Sequence, residues 1–211
     1  MTDVKTAIIN RGIVENAYTY REYRELIDNL LANDKTTGEN HSESMLHYTK
    51  MNVHRMKRLE KQIELKDELV QRLENLHRSL TWLILTEGWC GDAAQIIPTI
   101  QRMADQTKSI QTRYILRDQN LKIMDQFLTD GRARSIPKLI CLDSKTLEVL
   151  GEWGPRPDVA QQLFKDLRKS DEQSSRERAE KLHKWYADDR TFSVQDEFIP
   201  LIEKWGNTVL K

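Results

Sequence analysis

Thr81-Trp82-Leu83-Ile84-Leu85-Thr86-Glu87-Gly88-Trp89-Cys90-Gly91-Asp92-Ala93 is the stretch on which the fold turns. Its first six residues form an apolar run long enough for one buried strand. A helix is expected from about 91 to 106, with Ile96, Ile97, Ile100 and Met103 on its buried side. Cys90 therefore falls at the junction of a strand and a helix. A second cysteine three positions on would complete a dithiol, but Ala93 stands there. The stretch has the frame of a thiol–disulfide site and lacks half of its chemistry.

Working outward, Ile110 to Leu116 reads as a strand and Leu121 to Leu128 as a short helix. Ile136 to Leu142 reads as a strand opening with Pro137. Leu147 to Trp153 is its expected hairpin partner across Asp143-Ser144-Lys145. Gly154-Pro155-Arg156-Pro157 is a turn, and helix resumes at Asp158. The order strand, helix, strand, helix, strand, strand, helix implies an α/β mixed sheet with helices on both faces. Before it, periodicity predicts helices over 12–32, 42–59 and 66–79, with a polar loop at 33–40. After it come helices over 175–187 and 194–205. Phe198, Ile199, Leu201, Ile202 and Trp205 on the last one need a surface to cover. The expected division is an N-terminal helical extension (1–79), a central unit (80–170) and a C-terminal helical extension (171–211) packed on the body.

Composition narrows the function classes. The 211 residues suit one domain with elaborations, or two small ones, and can bury a core without staples. Thirty-three basic side chains balance 33 acidic ones, which does not suggest a dedicated nucleic-acid binder. No stretch approaches a membrane span, and the N-terminus lacks the apolar segment of a secretory signal. Two cysteines exclude a disulfide scaffold and fit free thiols in a cytoplasmic setting. Five scattered histidines give no metal spacing, so neither a metal nor a cofactor is expected.

The central segment resembles the thioredoxin superfamily. Four features fall in the right order: the strand leading into Trp89-Cys90-Gly91, Pro98 in the following helix, Ser135-Ile136-Pro137 as a cis-proline loop, and Trp153-Gly154 at the end of the last strand. This resemblance covers about residues 78–170. With its helical extensions, the chain is similar to a larger bacterial thioredoxin-like family that shows Trp-Cys-Gly-Asp and Trp-Gly-Pro-Arg-Pro segments. The resemblance implies a thioredoxin-like mixed sheet flanked by helices, with helices added at both ends. The chain departs from the superfamily pattern at three positions. The resolving cysteine is Ala93, the helix position usually held by proline is Asp92, and the buried acid six residues before the nucleophile is Ile84.

Cys90 is the candidate catalytic residue. A thiol at a helix N-terminus meets unpaired N–H groups and the positive end of the dipole, and both favour thiolate. Asp92 opposes this unless it caps the helix or points to solvent. Arg134 and Arg156 are placed to approach Cys90 from two loops, or to pair with local acids. Cys141, on an expected buried strand, is either a core hydrophobe or a resolving thiol. The resemblance implies a cis Ile136–Pro137 bond, with the Ile136 backbone hydrogen-bonding an extended substrate. Trp89 and Trp153 would flank that groove, with Gly154 and Arg156 beside them, or would serve as packing residues. On a helix further upstream, Asn52, His54, Arg55 and Arg58 form an anion or nucleic-acid site, or else a solvated basic face or pairs with Glu43 and Glu60.

Two functions follow. The leading expectation is single-cysteine thiol–disulfide exchange without normal dithiol reductase activity, its partner a protein thiol or disulfide, or glutathione. The alternative is a redox-inactive thioredoxin-fold module that binds a peptide or protein.

Overall fold

The computed structural model describes residues 8–169 and 174–207. The expected boundary at 170/171 lies outside the described residues. The N-terminal helices are α1 (Arg11–Asn16), α2 (Tyr20–Ala32), α3 (Glu43–Gln62) and α4 (Asp67–Glu74). The central unit runs β1 (Leu80–Thr86), α5 (Gly91–Ala104), β2 (Ile110–Leu116), α6 (Leu121–Met124), β3 (Lys138–Asp143), β4 (Val149–Trp153) and α7 (Asp158–Lys169). Helices α8 (Ser175–Asp189) and α9 (Phe192–Asn207) follow.

The four strands form one mixed sheet in the order β2-β1-β3-β4. Strand β1 runs parallel to β2 and antiparallel to β3, and β4 is antiparallel to β3. All seven residues of β1 are buried, as a central strand covered on both faces requires. Helix α5 is held to β2 through Gln101, whose Oε1 accepts from Thr112 Oγ1 at 2.7 Å and Tyr114 OH at 3.0 Å. The sheet and its flanking helices thus form the expected thioredoxin-like α/β fold.

Three sequence expectations change. The helix predicted over 12–32 is two helices. Residues between them turn extended, and Tyr18 exchanges both backbone hydrogen bonds with Tyr114 at 2.9 and 2.8 Å. This closes part of the free edge of β2. Asn10 caps α1, and a Thr19/Glu22 capping box starts α2, so each piece has its own start signal. The helix expected over 66–79 ends at Glu74, because Leu80 enters the sheet with its N–H on Ser109 O at 2.7 Å. The helix expected over 121–128 is a single turn, 121–124.

The C-terminal helix supplies core. Phe198 and Trp205 on α9 are fully buried. Their rings pack edge-to-face on Trp82 of β1, with centroids 5.4 and 6.2 Å apart. Phe198 also meets Trp153 of β4 at 5.1 Å. Burying each such ring contributes about 1.5–3 kcal/mol. Lys66 N and Glu64 O are bonded to Gln195 of α9, tying both extensions together at 2.8 and 3.1 Å.

Candidate functional site around Cys90

The loop that presents Cys90 is clamped from the N-terminal extension. Gly88 N–H donates to Thr37 Oγ1 at 2.9 Å, and Gly88 O accepts from Asn52 Nδ2 at 3.0 Å. The buried Glu87 carboxylate accepts from Asp118 N–H at 2.9 Å, and burial raises its pKa. Trp89 is half-buried under the Arg117 guanidinium, 4.9 Å from the ring centroid. This loop therefore has little freedom to rearrange around the thiol.

Cys90 is itself the N-cap of α5, its Sγ accepting from Ala93 N–H at 3.5 Å. Its S–H donates to Ile136 O at 3.3 Å, across the Ile136–Pro137 bond, which is cis. Only 7% of the residue is exposed. Burial pushes the thiol up to about 12, and the Asp92 charge adds to that. The Ala93 N–H and Arg156 lower it by less. The expected activation by the helix terminus is present but outweighed, because desolvation penalises a thiolate more than a partial charge rewards it.

Asp92 neither caps α5 nor faces solvent. Its Oδ2 accepts from Arg156 Nη2 at 2.6 Å and its Oδ1 from Tyr186 OH at 2.8 Å. The Arg156 and Asp92 side chains are only 10% and 12% exposed. Arg156 also donates to Gln161 Oε1 at 3.0 Å and lies 3.9 Å over the Phe164 ring. Of the two ways open to Arg156, the structure takes pairing with a local acid. Arg134 is bound to Asp125 through two hydrogen bonds of 2.6 and 2.8 Å, in an exposed position. Cys141 is fully buried on β3 opposite Trp82, and burial raises its pKa. Both cysteines are free thiols.

Trp153 is not an open groove wall. It is 7% exposed, lies against Phe198, and donates from Nε1 to Glu197 Oε2 at 2.7 Å. The apolar face of α9 had to be covered, and Trp153 is part of the cover. Gly154 has φ +110° and approaches so closely that a Cβ there would sit 2.3 Å from Pro137 O. A side chain at 154 would force the two loops apart.

Sequence reasoning missed three contributors from the C-terminal extension. Tyr186 bonds Asp92, His183 contacts Gln95 at 3.3 Å through Nδ1, and Glu197 holds Trp153. No local pattern around Trp185-Tyr186 announces a partner 94 residues away. On α3, Asn52 and Arg55 turn inward and are joined at 2.8 Å, while His54 and Arg58 are exposed. Among the described residues, no group of three or more His, Cys, Asp or Glu side chains is placed to hold a metal ion. No described helix is long and apolar enough to cross a membrane.

The thioredoxin family model Thioredoxin_9 matches residues 38–169, more than half of the chain, and the chain belongs to that family. Two solved structures share its fold. One is a protein of unknown function, PA1234 from Pseudomonas aeruginosa, 18% identical, with a TM-score of 0.53 over 88% of this chain and 98% of that one. The other is an HIV epitope-scaffold, 16% identical, with a TM-score of 0.51 over the same shares of each chain. No curated protein matches.

Proposed function

We propose that this chain is a thioredoxin-fold binding protein in which Cys90 is a structural thiol. The observation that carries this is the Cys90 S–H bound to Ile136 O in a site closed by Asp92, Arg156 and Tyr186. By the family resemblance, the Ile136 backbone is where an extended substrate pairs. Here the cysteine occupies its carbonyl and α9 covers Trp153, so the peptide groove is closed and the module's ligand is held outside it. Ala93 and Ile84 agree with this reading, since each removes a group that a reductase cycle uses.

Single-cysteine exchange is the second reading. It is favoured by the Ala93 N–H on Sγ, which would stabilise a thiolate once formed. Protein disulfides and glutathione are partners under that reading alone. A cytoplasmic location accords with both.

Alkylation of Cys90 in a Cys141→Ser background, followed from pH 6 to 10, separates them. The expected profile is slow and still rising at the top of this range, well above the free-thiol pKa of about 8.5. Oxidised glutathione should leave no adduct. A titration midpoint below about 7.5 with a Cys90–glutathione adduct would replace the binding reading with thiol exchange.

A further inference from the structure

Beside the closed thiol lies an open cleft of about 460 Å³, a size typical of small-molecule sites. It is built where α3, the start of α5, α7 and α8 converge. Arg55, Arg156, Arg168 and Arg178 line it, together with His183. Among the described residues Asp92 is its sole acidic lining residue, and that carboxylate is already bonded to Arg156 and Tyr186. Another cleft, near α2 and β2, holds its charges closer to balance, with Arg21, Arg102 and Arg113 against Glu60 and Asp105.

Like charges gathered on low-dielectric walls repel one another and focus a positive field. Here they are also held in place. The Phe164 ring lies beneath both Arg156, at 3.9 Å, and Arg168, at 5.8 Å. Arg55 is fixed by Asn52 Oδ1 at 2.8 Å. The Arg156 side chain is nine-tenths buried, and its Nε–H has no hydrogen-bond partner. Burial and the neighbouring Arg55 and Arg156 push His183 down to about 4, so its ring is neutral at pH 7. Its Nδ1 lies 3.3 Å from the Gln95 amide nitrogen. Among the described residues, Arg55, Arg156 and Arg168 face the single carboxylate of Asp92 across this cleft.

We propose that this cleft binds a small phosphorylated molecule carrying two or more negative charges. Guanidinium forks match phosphate oxygens bidentately, and forks converging from α3, from α7 and from the turn before it suit a diphosphate or a phosphate ester. Such a ligand offsets the repulsion among the arginines. This deepens the binding reading by naming its ligand class, and it rests on that reading.

The test is calorimetric titration of the full chain with inorganic pyrophosphate at about 0.15 M salt, where the Debye length is about 8 Å and diffuse attraction is screened. Citrate serves as the polycarboxylate comparison. Saturable binding is expected, weakened about tenfold or more in Arg55→Gln and in Arg168→Gln, as loss of a charged hydrogen bond implies. Arg21→Gln, in the cleft near α2 and β2, should bind as wild type, and equal melting temperatures would show that the variants fold. Citrate should bind at least about tenfold more weakly. The proposal is overturned by absence of saturable binding, by equal losses in Arg21→Gln, or by citrate matching pyrophosphate. Cys90 alkylation on the same samples keeps the failures apart. An inert Cys90 without pyrophosphate binding removes the ligand class alone, whereas a reactive Cys90 removes the binding reading as well.

Discussion

Asp92 shows how one side chain can redirect a whole site. Two residues from Cys90, it works against a thiolate, and it holds both Arg156 and Tyr186. A carboxylate at this depth is tolerable because the guanidinium and the phenol satisfy it. Asp92→Asn leaves the nine-tenths-buried Arg156 without its counter-charge. The expected cost is roughly 3 kcal/mol of stability, measured by denaturant unfolding. The same change should also speed Cys90 alkylation, since the Asp92 charge is the second largest cause raising that thiol. Slower or unchanged alkylation in a folded Asp92→Asn protein would mean that Asp92 does not govern the thiol. Asp92 was legible in the sequence as a residue near the helix start, for which capping was the simple local role. Its partners lie 64 and 94 residues away, and no local pattern announces them.

Elements meet here at points too tight for a methyl group. A Cβ on Gly151 of β4 would stand 2.2 Å from Trp205 Nε1 of α9, and the indole is fully buried with no space to withdraw. Gly151→Ala is therefore expected to cost about 1–3 kcal/mol by overpacking, read as a lowered melting temperature. An unchanged melting temperature would show that α9 stands off the sheet. Strand β1 and helix α5 were plain from their apolar patterns, because burial on both faces or on one stripe leaves a period in the sequence. The break between α1 and α2 was less plain. Tyr18 fits the helical spacing of its neighbours, yet pairing with Tyr114 at the open edge of β2 overrides local preference.

At the scale of the molecule, the extensions belong to the same core as the sheet. Helices α4 and α9 pack on each other, and Trp82, Trp153, Phe198 and Trp205 form one aromatic cluster spanning β1, β4 and α9. Trp205→Ala should cost about 3–5 kcal/mol. Unfolding should remain a single transition seen alike by circular dichroism and tryptophan fluorescence. Two separated transitions would instead make the C-terminal helices an independent unit. The sequence by itself determined the strand and helix order of the central unit, the junction that carries Cys90 and the absence of a cysteine at 93, while the thioredoxin-like sheet was implied by resemblance. These depend on periodicity and on residue type at fixed spacing, which a chain displays locally. Only the tertiary structure decided that Cys90 is buried, that Asp92 is bound by Arg156 and Tyr186, that α9 covers Trp153, and that arginines from three helices share one cleft. Those outcomes depend on which distant surfaces meet, and burial and charge pairing act on that proximity.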